Sequence, residues 1–147
     1  IIGARETVEG VSGLALITRR VVETLDQWCF DRQGAQVLSL SPATAIQSIR
    51  VARADGGMNT LDADDYELDA ASSRIAFVNL PPSPASSIAG IEIEYDVGFG
   101  ASAADIPEAL RQAVRITLSA AYEDRRGGVA LPEAARGLIG AFRAPRV

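Results

Sequence analysis

Gly98-Phe99-Gly100-Ala101-Ser102-Ala103 carries the G-x-G-x-x-A spacing, after an alternating strand pattern and ahead of a long helical one. In a dinucleotide-binding turn, glycines so placed let the backbone approach a pyrophosphate, and the helix that starts inside them takes up its charge. Here the helical pattern begins several residues later, at Asp105-Ile106-Pro107, and a second helix follows it where a parallel strand ending in an acid is required. The glycines read instead as a permitted turn, a hinge between a β part and a helical part. Asp62, Asp64, Asp65 and Glu67 form a compact acidic cluster. Calcium loops use such oxygens, but the central Gly and the terminal Glu at their required positions are missing. A glycosidase pair needs two carboxyls flanking a sugar, which spacing alone does not supply. The cluster reads as a solvated turn before a strand.

Cys29 follows Trp28 in a chain without histidine, so nothing of the usual kind activates its thiol, and a packed or partly exposed Cys is expected. The pairs Arg19-Arg20 and Arg125-Arg126 have the charge to meet phosphate. They lack flanking stacking aromatics and further basic residues, which favours salt bridges to neighbouring acids over nucleic-acid binding.

The absences narrow the chemistry further. No His removes the commonest general base and metal ligand, and a single Cys removes internal disulfides and Cys-rich zinc sites. No Lys excludes Schiff-base chemistry and a P-loop. No catalytic residue, cofactor or metal is expected. No apolar run approaches the ~18 residues that span a bilayer, no signal peptide is visible, and the missing initiator Met suggests residues ahead of Ile1. Residues 1–104 carry 14 acids and 7 arginines, and residues 105–147 carry 5 acids and 7 arginines, which gives −7 and +2 within the net −5. The β-rich part should repel nucleic acid and the C-terminal part has the charge to meet an acidic partner, or else both are ordinary solvated surface.

These residues must be held by elements that the patterns supply. At 147 residues the chain is long enough for one domain with a real core. Residues 1–13 read as the end of a helix, with Ile1, Ala4, Val8 and Val11 at helical spacing and Gly13 as its stop. Residues 14–98 read as β-rich. A long first strand over 15–28, with imperfect alternation and a bulge or exposed end, is followed by strands at Ala35–Leu40, Ala45–Arg53, Tyr66–Asp69, Arg74–Val78 and Ile88–Val97. Leu80-Pro81-Pro82-Ser83-Pro84 is an extended loop that cannot join a ladder from inside. Residues 105–142 hold two helices. The first is capped by Asp105, has Pro107 in its first turn, and turns Ile106, Leu110, Ala113, Val114, Thr117, Leu118 and Ala121 to one apolar face. The second runs from about Leu131 to Phe142, ahead of a basic tail over 143–147. The fold class is α+β: a small antiparallel β-sandwich or barrel-like sheet inserted between an N-terminal helix and a C-terminal helical hairpin.

In order and spacing these segments resemble the head–tail connector (adaptor) proteins of long-tailed bacteriophages and phage-like gene transfer agents. Ala4-Arg5-Glu6-Thr7-Val8-Glu9 leading to Gly13-Leu14-Ala15-Leu16-Ile17-Thr18, and Leu25-Asp26-Gln27-Trp28 after it, look like that family's helix end and first strand. Asp64-Asp65-Tyr66-Glu67-Leu68-Asp69 resembles its Y-x-hydrophobic-D strand, and Ile93-Glu94-Tyr95-Asp96-Val97-Gly98-Phe99-Gly100 its Y-x-x-G-y-G strand end. Ile106-Pro107 with Leu110, then Ala121-Tyr122-Glu123-Asp124-Arg125, resembles its iP-x-x-l…a-x-Y-E-x-R helix. The likeness covers nearly the whole chain. It implies a single adaptor domain that carries no enzyme activity. Twelve or so such subunits would form a homo-oligomeric ring at the head–tail junction of a phage or gene-transfer particle assembled in the bacterial cytoplasm. That ring would dock beneath the portal protein, extend the DNA channel without sequence-specific DNA binding, and present a surface to a stopper or other tail component. Arg125, Arg126, Leu138, Ile139, Phe142, Arg143 and Arg146 are the expected partner or subunit interface. A stopper or tail-completion protein of the same particle, a β-sandwich ligand-binding module and a carboxylate-dependent hydrolase are the alternative readings.

Overall fold

The structure, a computed structural model, describes residues 2–123 and 130–142. Among these described residues, three α-helices and seven strands follow in the order α1 (Ile2–Ser12), β1 (Arg19–Leu25), β2 (Gln36–Val37), β3 (Ala43–Ala52), β4 (Met58–Thr60), β5 (Tyr66–Asp69), β6 (Arg74–Phe77), β7 (Ile91–Val97), α2 (Glu108–Glu123) and α3 (Glu133–Gly140). The described pairings are antiparallel, and the α+β class expected from the sequence is the one observed. The chain divides into two compact units, a β unit of residues 19–97 and a helical unit built from the segments on either side of it.

The β unit contains a four-stranded sheet in the order β1-β7-β3-β4 and a three-stranded sheet in the order β2-β6-β5. β7 is the clearest amphipathic strand. Ile91, Ile93, Tyr95 and Val97 are buried, while Glu92, Glu94 and Asp96 alternate with them on the other face. Cross-strand partners answer those acids. Arg50 pairs with Glu92 at 2.5 Å, the Ser48 hydroxyl donates to Glu94 at 3.4 Å, and Arg20 and Gln47 both donate to Asp96.

The helical unit is held by one apolar cluster. Val8 of α1, Leu14 and Leu16 after it, Ile106, Leu110 and Ala113 around α2, and Leu131, Ala135 and Ile139 around α3 are all buried together. Gly13 ends α1 in the left-handed region at φ +71°, where its amide donates to the Glu9 carbonyl at 2.9 Å. The Glu9 side chain in turn accepts the amide of Leu16 at 2.8 Å, which fixes the chain leaving the helix.

Several expectations need correction. The long strand over 15–28 begins only at Arg19, because Leu14, Ala15 and Leu16 are spent in burial. Of the two accounts of the first strand, the exposed end holds, at Arg19 and Arg20, while its register against β7 is unbroken; the register shifts lie in β3, between Ala43 and Ala45 and between Ile46 and Ser48. Glu23 breaks the alternation of β1 for a structural reason: its carboxylate accepts the Tyr95 hydroxyl at 2.7 Å and the Ser39 amide and hydroxyl at 3.0 and 2.6 Å. Strand β4 gave no sequence signal, since all three of its residues are exposed. Asp105 is not the cap of α2. It closes a single 3-10 turn at Ala103–Asp105, and the Pro107 carbonyl accepts the first helical amides, from Leu110 and Arg111, at 3.0 and 3.1 Å.

Candidate assembly surfaces

The glycine turn is shaped by its own backbone neighbours. Gly98 has φ +123°, and a Cβ placed there would lie 2.6 Å from backbone atoms of Ile17 and Thr18. The Thr18 amide donates to the Gly100 carbonyl at 2.8 Å, and the Phe99 amide to the Leu16 carbonyl at 3.4 Å. A Cβ on Gly100 would overlap the Asp105 side chain, whose carboxylate accepts the Ser102 amide and hydroxyl, both at 2.9 Å. Those donors hold the Asp105 carboxyl below its usual range. The position at which a phosphate would meet the turn is thus filled by a carboxylate of the chain itself. The turn marks the boundary between the β unit and the helical unit.

The other chemically suggestive residues are structural in the same sense. Asp62, Asp64 and Asp65 lie in and beside a 3-10 turn at Ala63–Asp65, where the Asp65 amide donates to the Asp62 carbonyl at 3.0 Å and the turn leads directly into β5. Among the described residues, no group of three or more His, Cys, Asp or Glu side chains is arranged to hold a metal ion. Cys29 is exposed, and its backbone amide donates to the Gln36 side chain at 2.9 Å. Its neighbours Trp28 and Phe30 form an aromatic group with Phe77, with ring centroids 5.0 to 6.2 Å apart.

A second ordered group joins β6 to the turn before β2. The Arg74 guanidinium bridges Asp31 at 3.0 Å and Asp69 at 3.1 Å, and donates to Gln33 at 2.6 Å. Ser72 donates a very short hydrogen bond to Asp69. Asp69 is held below the ordinary carboxylate range by Ser72 and then Arg74, and Asp31 by the Ala35 amide and Arg74. These are fixed, compensated charges.

The residues expected at a partner interface have different fates. Ile139 is 2% exposed and belongs to the helical core. Leu138 and Phe142 are half-buried against that core, and Phe142 meets Phe99 edge-on at 6.5 Å between centroids. The structure therefore gathers Leu138, Ile139 and Phe142 on one short helix and its end. Arg125, Arg126, Arg143 and Arg146 lie outside the described residues.

Sequence reasoning passed over a different surface. Val78, Leu80 and Ile88 are 70, 87 and 77% exposed, on the segment between β6 and β7. Their signal was available, since no charged residue occurs from Ile75 to Ile91. Leu80 and Pro81 also line an open cleft of about 520 Å³ with Asp26, Gln27, Trp28 and Phe30. On α2, Leu118 and Tyr122 are likewise exposed, Leu118 against its expected place in the packed face.

No protein-family model and no curated protein matches the chain. Solved structures do. A chain in the neck of an empty gene transfer agent particle, computed with C6 symmetry, superposes with a TM-score of 0.78 at 32% identity, over 99% of this chain and 76% of its own length. One in the neck of the native particle, computed with C12 symmetry, gives the same score and identity over 99% of this chain and 80% of its own. One in the virion of the native particle gives 0.74 at 29% identity. A likeness at that identity, running through both units, carries sequence as well as fold, and with the strand-end and helix patterns noted above it places the chain among the head–tail connector (adaptor) proteins of long-tailed bacteriophages and phage-like gene transfer agents.

Proposed function

We propose that this chain is a structural adaptor of a phage-like particle. Identical copies form a ring, twelve being the expected number, at the neck beneath the capsid portal, where the ring extends the DNA channel and receives the next tail component. The observation that carries the reading is the match over 99% of the chain to proteins in necks computed with C6 and C12 symmetry. A closed ring needs two different surfaces on each subunit, because head-to-tail contacts join unlike patches. The charge distribution suits a conduit: the strongly acidic β-rich part repels DNA phosphates and so lets the duplex pass. The function is carried by surfaces, with no catalytic step.

The docking end of this proposal is the C-terminal helical region. Leu138 and Phe142 keep part of their surface available, Ile139 supports them from the core, and Arg125, Arg126, Arg143 and Arg146 supply the positive charge. The test is to replace the four arginines together by Gln and to image particles and purify portal complexes. Loss of portal binding, with the β unit's circular dichroism retained, is the expected result. Unchanged portal binding and ring assembly would overturn the basic-end docking.

A further inference from the structure

The 17 residues from Ile75 to Ile91 carry no charge, in a chain with 22% charged residues. Within them Val78, Leu80 and Ile88 are among the four most exposed large hydrophobic side chains of the described residues, Tyr122 being the other. The segment is nevertheless well fixed. Trp28 donates from its ring nitrogen to the Pro82 carbonyl at 2.9 Å, the Ala85 amide to the Ala52 carbonyl at 2.9 Å, and the Ala89 amide to the Asp26 carboxylate at 2.7 Å. A Cβ on Gly90 would lie 2.5 Å from the Ser86 carbonyl, so the loop is folded back closely on itself. Its shape is set before any partner arrives, which lowers the cost of binding. A surface that is preformed, apolar and uncharged attracts neither DNA phosphate nor a charged protein face. It fits an apolar, uncharged counterpart.

This chain holds such a counterpart. The seven residues from Ile116 to Tyr122 are also free of charge, and they place Leu118 (37% exposed) and Tyr122 (73% exposed) one helical turn apart on the same side of α2. The flat, amphipathic ring of a tyrosine beside an aliphatic side chain suits a loop of prolines and leucine. Loop-to-loop contact would be self-complementary and would close at two copies. Loop-to-helix contact is heterologous and propagates round a ring. We propose that the loop carrying Val78, Leu80 and Ile88 in one subunit docks on Leu118 and Tyr122 of α2 in the neighbouring copy. The inference rests on the ring reading above.

Directed cross-linking in assembled particles tests it. With Cys29→Ser removing the native thiol, Leu80→Cys is combined with Leu118→Cys, and the particles are mildly oxidised. Both positions are exposed, so the subunit's own packing is little disturbed. The monomer band should be lost into a ladder of disulfide-linked multimers of this chain, and neither single cysteine should give one. A second pair of variants guards against failed incorporation. Leu80→Asp and Leu118→Arg should each reduce the chain's amount in particles, and together they should restore it by pairing across the same contact. If the ring forms and neither the ladder nor the rescue is seen, or if Leu80→Cys links only to another particle component, this contact is wrong while the ring reading stands. A wild-type chain present in particles without forming a ring would sink both.

Discussion

At the scale of single residues, Tyr95 shows how a polar atom is placed in an apolar sheet. Its side chain is 1% exposed, and its hydroxyl donates to Glu23 at 2.7 Å while accepting the Leu40 amide at 3.4 Å. Burial, then the Glu23 carboxylate, pushes the phenol far above its ordinary range, because ionisation would put a second negative charge beside the first in a poorly hydrated site. A group whose pKa is raised by folding keeps its proton in the native state after the unfolded chain has lost it. Its contribution is therefore complete below the unfolded value of about 10 and falls as pH rises above that value. Tyr95→Phe should cost about 1–2 kcal/mol at neutral pH, since Glu23 keeps its two bonds from Ser39. The variant should also lose most of the alkaline decline, with a residue left by Tyr66, whose phenol burial also raises. Urea unfolding between neutral pH and pH about 11 measures both effects. Parallel curves for the two proteins would refute the assignment.

At the scale of elements, legibility in the sequence followed exposure. β5 has its expected ends because Tyr66–Asp69 is bounded by an acidic turn and a tight connection; β7 has its expected end at Val97 but starts at Ile91 rather than Ile88, where its unbroken alternation of apolar and acidic residues begins. β4 carries no pattern because none of its residues is buried, and residues 15–18 look like strand although Leu16 and Ile17 serve a helical core that local pattern cannot reveal. Exposure at the expected interface was not legible residue by residue on the C-terminal helices. The sequence patterns put Ile139 at the interface and Leu118 in the packed face, yet the first is buried and the second is exposed. That difference is measurable on α2 itself. Leu110 is fully buried in the helical cluster, so Leu110→Ala should destabilise by about 3 kcal/mol through lost burial and a residual cavity. Leu118→Ala should stay within about 0.5 kcal/mol in the isolated chain, as exposed sites usually do. Similar losses at both positions in chemical denaturation would place Leu118 in the core after all.

At the scale of the whole molecule, the connectivity explains how one chain carries two folding units. The helical unit is discontinuous in sequence, and the β unit is the uninterrupted stretch 19–97 between its segments. The two ends of that stretch are register partners: Arg19 opposes Val97 on the antiparallel pair β1 and β7. Opposed residues on such strands lie about 5 Å apart at Cα, so the chain leaves and rejoins the helical unit through nearly a single point. An insertion of that kind imposes little constraint on the fold that receives it. The glycine turn follows from this arrangement, because Gly98 must pass within van der Waals reach of Thr18 where the two connections run side by side. With its own buried set, Ile49, Val51, Ile75, Ile91, Ile93 and Tyr95 among it, the β unit has what it needs to fold alone. Residues 19–97 expressed by themselves should give a β-type circular dichroism spectrum and a cooperative thermal transition. The converse protein, with Thr18 joined to Gly98 by a two-residue linker, should keep helical signal. A 19–97 fragment that melts without a cooperative transition would show that the β unit depends on the helices for its stability, and the insertion account of this fold would fail with it.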